Sequence, residues 1–271
     1  MRSFNDKLAG RIALAPKVFF FFDYDGTLTP IVSRPERAML KPAMKSILRQ
    51  LSRLQRVRIA VISGRSLLDL QRMAGSIPGI AYVGNHGLEM KGEGFIWSHP
   101  SVKQASRIMT NLWAELRRDL HPVKGMLLEN KTLGISLHYR LVPEKKIADL
   151  YRNFQKIVAP WVRLGTIKVH EGKKVWEIRL RQHLWDKGKA VRWLLKKYRS
   201  EGCFLPVFLG DDRTDEDAFK ALQRGGITVK VSENPRAISA AKYYIHSPAE
   251  VFDFLEQVVK LRRAHLRRVH P

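Results

Sequence analysis

Polar residues stand in this chain where apolar runs end, and at two of the three ends they are acidic. Val18-Phe19-Phe20-Phe21-Phe22 leads into Asp23-Tyr24-Asp25-Gly26-Thr27, Val57–Ile62 leads into Ser63-Gly64-Arg65, and Pro206–Leu209 leads into Gly210-Asp211-Asp212. A short run of this kind suits a strand buried on both faces. In a parallel sheet, ligands gather beyond the carboxyl ends of the strands. Brought to one rim, the carboxylates of Asp23, Asp25 and Asp211 repel one another unless a hard divalent cation lies among them. Oxygen donors suit Mg²⁺, which keeps several waters and shares its site with a phosphate. Gly26 allows a tight turn after the first strand. Thr27 and Ser63 offer hydroxyl or backbone donors to phosphoryl oxygens, and a helix N-terminus that follows favours anions.

These residues need a scaffold, and the pattern between them supplies one. Leu40, Met44, Ile47, Leu48, Leu51 and Leu54 recur at helical spacing after the first strand. Val57–Ile62 is a second strand, Ser66–Met73 a helix, and Ile80–Val83 a third strand closed by Gly84-Asn85-His86-Gly87. Strands alternating with helices imply a parallel sheet with right-handed crossovers. After a glycine-rich turn (Lys91-Gly92-Glu93-Gly94) the order changes. A helix carrying Val102, Ala105, Ile108, Met109, Leu112 and Leu116 precedes strands at 125–129 and 134–140. A helix from Glu144 to about 158 then precedes strands at 167–170 and 174–180. From Lys187 the alternation returns and ends in a terminal helix. The expected architecture is α/β: a doubly wound parallel-sheet core over 1–99 and 183–271, with an inserted α+β cap domain over 100–182.

Composition narrows the classes. The chain has 271 residues, 45% hydrophobic, with 18 Gly and 13 Pro and no repeat period, which excludes low-complexity disorder. No apolar run is long enough to span a bilayer, and the N-terminus lacks a secretory pattern. One cysteine, Cys203, excludes an intramolecular disulfide and a Cys-rich metal site, and reads as a small hydrophobe ahead of a buried strand. These features point to a cytoplasmic location. Lys plus Arg is 49 against 25 acids, a net charge of +24, which raises the local concentration of anions of every kind. Lys260, Arg262, Arg263, Arg267 and Arg268 crowd the end of the chain. This tail reads as a solvated helix end, with nucleic-acid or anionic-surface contact as its rival function.

Four motifs in order, Asp23-Tyr24-Asp25-Gly26-Thr27-Leu28-Thr29, Ser63-Gly64-Arg65, Asp186-Lys187-Gly188-Lys189 and Gly210-Asp211-Asp212-Arg213-Thr214-Asp215, resemble those of the haloacid-dehalogenase-type phosphatases. Singly, each has a plain alternative. Asp25-Gly26 is an ordinary turn, Ser63 or Thr214 a helix cap, and Lys187 a surface lysine whose place Lys189 can take. Together, at successive strand ends, the plain alternatives have no common reason. The resemblance implies Asp23 as nucleophile, Asp25 as general acid and base, and Ser63 and Lys187 as stabilisers of the transferring phosphoryl group. It implies Mg²⁺ held by the carboxylates of Asp23 and Asp211 and the backbone carbonyl of Asp25. Gly26, Thr27, Asp212 and Asp215 are implied in support, the last two through water ligands or by orienting Lys187.

The insert must then supply substrate choice. It carries Glu129-Asn130-Lys131, His138-Tyr139-Arg140 and Gly172-Lys173-Lys174-Val175-Trp176-Glu177. Strand alternation puts Glu129 with Lys131, and His138 with Arg140, and Glu177 with Lys173 if that strand extends back. Charged side chains on strands are most simply a solvated face. These elements nevertheless resemble the cap of the trehalose-6-phosphate phosphatase family, which implies sugar contacts from Glu129, Lys131, Arg140, Lys173 and Glu177. Arg65, Asn85 and His86 are expected near the phosphate or its sugar. The implied reaction is hydrolysis of trehalose 6-phosphate to trehalose and phosphate. Another sugar phosphate (sucrose phosphate, a glycosylglycerol phosphate), a phosphomutase, and a nucleic-acid or anionic-surface binding protein remain the alternatives.

Overall fold

The five apolar residues before Asp23 show how the core is organised. A computed structural model describes residues 1–3, 6–32, 35–120, 122–130, 133–172, 174–180, 185–234 and 236–269. In it, β2 (Val18–Asp23) is buried along its length, and its phenylalanines alternate between two hydrophobic clusters. Phe20 and Phe22 stack 5.7 Å apart on one face, and Phe19 and Phe21 stack 4.2 Å apart on the other. Each such ring contributes about 2–3 kcal/mol by burial.

The larger of two compact units comprises Met1–Trp97 and Trp185–Pro271. Its elements are β1 (Arg2–Ser3), α1 (Asp6–Leu14), β2, α2 (Pro42–Ser52), β3 (Val57–Ile62), α3 (Leu67–Ala74), β4 (Ile80–Gly84), β5 (Glu89–Gly92) and β6 (Phe95–Ser98). After the insert (α4, α5 and β7–β10, below) come α6 (Lys187–Lys197), β11 (Leu205–Gly210), α7 (Glu216–Ala221), β12 (Ile227–Val231), β13 (Tyr243–Ile245) and α8 (Pro248–Val269). Among the described residues the sheet order is β1-β13-β12-β11-β2-β3-β4-β5-β6, parallel from β1 to β4 and antiparallel at β4–β5. The chain winds outward from β2 in one direction through β3 and β4, and later in the other through β11, β12 and β13. β2, β3 and β11 are neighbours at that switch point, so their carboxyl ends share one crevice. α1, α2, α3 and α8 cover one face, and α6 and α7 cover the other.

Several local expectations change. Residues 91–94, read as a loop, belong to a hairpin in which β5 and β6 flank Glu93-Gly94, where Gly94 has φ +70°. Cys203 is exposed, because it sits in the turn after Gly202 and ahead of β11. The basic tail is not uniformly solvated. Arg262 continues the buried stripe of α8 (Val251, Leu255, Val258), and only 2% of its surface is exposed. Its guanidinium donates to the carbonyls of Ala13 and Ala15 at 3.1 and 2.8 Å and of Pro16 and Arg56 at 3.4 Å. Those carbonyls include ones left open where α1 ends, and Arg262 is therefore withdrawn from any anionic partner.

The smaller unit, Ser98–Leu184, is the insert. It contains α4 (Val102–Asp119), β7 (Leu127–Asn130), β8 (Gly134–His138), α5 (Glu144–Arg163), β9 (Ile167–Gly172) and β10 (Val175–Leu180). The strands form an antiparallel sheet in the order β7-β8-β10-β9. Ile135, Leu137, Trp176 and Ile178 point to one face and pack with Leu112, Leu116, Leu150 and Phe154 of α4 and α5. Trp176 stacks on Tyr139 and Phe154 at 4.4 and 5.2 Å. The insert's core closes on itself. In the larger unit, Trp97 and Trp185, the residues that flank the insert, have ring centroids 5.0 Å apart.

Among the described residues no helix is long and apolar enough to cross a membrane.

Candidate active site

Asp23 closes β2 beside Ile62 of β3 and is buried. The chain then turns sharply. The N–H of Gly26 donates to the Thr29 carbonyl at 2.7 Å, and the N–H groups of Leu28 and Thr29 donate to the Tyr24 carbonyl at 3.0 and 3.1 Å. Gly26 has φ +86°, and a Cβ there would collide with the carboxylate of Asp211. Glycine at this position thus serves both the turn and the approach of Asp211. The Thr27 hydroxyl also faces Asp211, 3.4 Å away. The Tyr24 hydroxyl anchors the turn from behind by donating to the Ala38 carbonyl at 2.7 Å.

Lys187 is the first residue of α6, whose cap is Asp186. Its ammonium is buried and donates to Asp23 Oδ1 at 2.5 Å and Asp215 Oδ1 at 2.6 Å, with Asp212 Oδ1 at 3.8 Å. Lys189 instead pairs with Asp186 at the surface, so the geometry selects Lys187 over its neighbour. Asp215 is anchored at both ends: its Oδ2 also accepts the N–H of Asp212 at 3.0 Å. Asp212 in turn accepts the N–H and hydroxyl of Thr214 at 2.8 and 2.7 Å. Asp215 therefore orients Lys187, and Asp212 shapes the loop after β11.

Three carboxylates surround one ammonium, with Asp211 close by, and the electrostatics reflect that surplus. Burial, with repulsion from Asp211 and against the pull of Lys187, pushes Asp23 up to about 7. Burial, with repulsion from Asp215 and Asp212, pushes Asp211 up to about 6. Burial also works against Asp212, but Lys187 and the Thr214 and Asp215 hydrogen bonds bring it down to about 2. Burial opposes the charge of Lys187, yet Asp23, Asp215 and Asp212 outweigh it and hold the ammonium protonated. Asp23, Asp211 and Asp215 each offer a carboxylate oxygen within 4.8 Å of the others, so this group can hold a metal ion. An all-oxygen set with excess negative charge fits a hard cation.

The expected ligand set was Asp23, Asp25 and Asp211. The carboxylate of Asp25 lies outside the group because Arg65 takes both its oxygens, at 2.6 and 2.7 Å. That leaves Asp25 only its backbone carbonyl for a metal, the atom the resemblance implied. Arg65 also lies over the Tyr24 ring, 5.8 Å from its centroid. Ser63 is buried after β3, and its Oγ accepts the N–H of Arg65 at 3.1 Å. Asn85 and His86 have φ +50° and +56°, rare for residues with a Cβ. Their N–H groups donate to the carbonyls of Arg65 and Ser63 at 2.7 and 2.9 Å. This left-handed turn after β4 thus fixes the loop that carries Ser63 and Arg65. Backbone strain of this kind concentrates at functional sites.

In the insert, strand register places Glu129, Ser136, Glu177 and His170 in one row across the sheet, on the face opposite α4 and α5. Glu129 and His138 pair at 3.0 Å, and Glu177 pairs with Arg179 two residues along β10. Arg140 lies two residues beyond the end of β8. β8 ends at His138, the N–H of Tyr139 donates to the Lys174 carbonyl at 3.1 Å, and Arg140 lies exposed in the turn beyond. β10 begins at Val175, and Lys174 before it has φ +63°. Lys131 and Lys173 lie outside the described residues.

Sequence reasoning passed over Lys230. It lies in β12 level with Gly210, and its ammonium donates to the Asp212 carbonyl at 2.9 Å. A lysine as the one charged residue inside the buried run Ile227–Val231 was the available signal, since such a charge is rarely buried without a partner.

The solved structure of the C. albicans trehalose-6-phosphate phosphatase C-terminal domain superposes with a TM-score of 0.76 at 23% identity, covering 96% of this chain and 98% of that one. The two chains share one α/β fold with a central, mainly parallel sheet. A trehalose-phosphate phosphatase of Mycobacterium tuberculosis is 35% identical over 268 residues, 95% of this chain and 65% of the relative. A probable trehalose-phosphate phosphatase D of Arabidopsis thaliana is 32% identical over 271 residues, 93% of this chain and 69% of the relative. The chain thus spans slightly under two thirds of the mycobacterial relative's length. Residues 21–249 match the trehalose-phosphatase family, and the chain belongs to it.

Proposed function

We propose that this chain hydrolyses trehalose 6-phosphate to trehalose and inorganic phosphate, with Mg²⁺ as its cofactor. The observation that carries this reading is the buried Asp23, held by Lys187 beside Asp211 at the switch point of the sheet. Asp23 attacks phosphorus, the bond from phosphorus to the sugar oxygen breaks, and an aspartyl-phosphate forms. Asp25 gives its proton to the departing sugar oxygen. It then takes a proton from the water that releases phosphate and restores Asp23. Arg65, paired with Asp25 in this structure, aligns that carboxyl group and lies ready for the substrate phosphate. Lys187 fixes the orientation of the Asp23 carboxylate, and with Ser63 it offsets negative charge on the transferring group. Asp23, Asp211 and the backbone carbonyl of Asp25 would hold Mg²⁺, which supplies positive charge to the phosphoryl oxygens when bound.

The sugar is read by the polar sheet face of the insert, with Glu129 and Glu177 gripping hydroxyl groups. Sites built for hydroxyls discriminate strongly between sugars. Asn85 and His86 lie beside the loop that meets the phosphate. The free cysteine suits a reducing compartment, and we assign the reaction to the cytoplasm.

A substrate panel tests the reading. With Mg²⁺, phosphate release from trehalose 6-phosphate should exceed that from sucrose phosphate and a glycosylglycerol phosphate by about 10-fold or more in kcat/KM. Equal rates would defeat the trehalose assignment. Phosphoryl transfer between sugars without free phosphate would indicate a mutase.

A further inference from the structure

We propose that Lys230 is a positioning residue for the metal-binding carboxylates, acting through the backbone of Asp212. This inference rests on the Mg²⁺ reading above. Lys230 is buried on β12, beside Gly210 and one residue short of Asp211 in register. Burying an ammonium costs free energy unless partners replace its water. Here the partners are the Asp212 carbonyl at 2.9 Å, Glu216 Oε1 at 3.6 Å and the Phe219 ring at 5.9 Å. Glu216 is itself pinned, accepting the Ser239 hydroxyl and the Ala240 N–H, each at 2.7 Å.

Asp212 is consequently held on every side. Asp215 takes its N–H, Lys230 its carbonyl, and Thr214 with the Asp215 N–H its carboxylate. The loop from Asp211 to Asp215 therefore cannot rotate its peptides without breaking a charge-assisted bond. The Asp211 carboxylate leaves from the first residue of that loop, and Asp215 from its last. Lys230 reaches neither carboxylate directly. It fixes the backbone from which both are aimed, as outer-shell partners do at metal sites.

The inference predicts a specific failure. Lys230→Met keeps the length and apolar stem of the side chain and removes the donor. Mg²⁺ alone, titrated calorimetrically into the metal-free chain, should bind it about 10- to 100-fold more weakly than wild type. The Mg²⁺ concentration for half-maximal hydrolysis should rise in parallel, while KM for the sugar phosphate at saturating Mg²⁺ stays unchanged. Lys230→Arg restores a charged donor, and should recover most of the affinity and guard against loss of folding in the first variant. A purely structural lysine would lower thermal stability and leave Mg²⁺ affinity within about 2-fold of wild type, and that result overturns the inference. Lys230→Arg that folds yet binds no better than Lys230→Met also overturns it. A wild-type chain that takes up no Mg²⁺ defeats the metal reading and this inference together. Wild-type binding that Lys230→Met retains defeats the inference alone.

Discussion

The acids of the larger unit and those of the insert are held by opposite means. Asp23, Lys187 and Asp215 come from three separated parts of the chain, are buried, and satisfy one another within 2.6 Å. Glu129 and Glu177 stand on an antiparallel sheet face, partly exposed, with partners on their own or a neighbouring strand. In the first group each member depends on the others, because removing one leaves a buried charge uncompensated. In the second, a side chain can change without unfolding what surrounds it. Under the proposed function, the first group serves the chemistry common to every ester, and the second offers a surface that substitution can tune toward one sugar.

The contrast breaks down if the two groups respond alike to substitution. Asp23→Asn removes the proposed nucleophile and should cost about four orders of magnitude or more in kcat, for trehalose 6-phosphate and p-nitrophenyl phosphate equally. Phosphate release measured on both esters checks this, and a loss confined to the sugar ester would contradict the assigned role. Glu177→Gln should do the reverse. It should lower kcat/KM for trehalose 6-phosphate by about 10- to 100-fold, the worth of a hydrogen bond to a charged group, and leave p-nitrophenyl phosphate nearly unaffected. Equal losses on both esters would return the insert's face to a solvated sheet.

The smallest effect concerns protons. Asp23 and Asp211 have folded-state values of about 7 and about 6, above those of an unfolded carboxylate. Their protonated forms favour the fold, so the metal-free chain should lose stability as pH rises through that range. A metal needs both groups ionised and displaces those protons. The rise in melting temperature produced by Mg²⁺ should therefore be small near about pH 5.5 and grow steadily to about pH 7.5. A flat dependence would mean that this cluster does not take the cation.

Much of the core is legible in the sequence because its signals are local and redundant. Largely apolar strands leading into Asp23, Ser63 and Gly210 announce a parallel sheet, and the order of its strand ends places the acids at one crevice. What escaped depends on pairings between distant residues. The bond between Arg65 and Asp25 joins two loops 40 positions apart, and no periodicity marks it. Arg262 reads as solvated within a basic run. Its spacing from Val251, Leu255 and Val258 nevertheless continues an apolar stripe, and that phase was the better guide. The β5–β6 hairpin is short and glycine-rich, so its strands were lost in what looked like a turn.

The close pair Trp97 and Trp185, whose ring planes are tilted by 38°, has a broader consequence. The chain leaves the larger unit after Trp97 and re-enters it at Trp185, and the two ring centres lie only 5.0 Å apart. Any segment whose two ends lie similarly close can be spliced there at little topological cost. Such a layout lets the inserted segment vary in length and sequence while the sheet around it keeps its pairing.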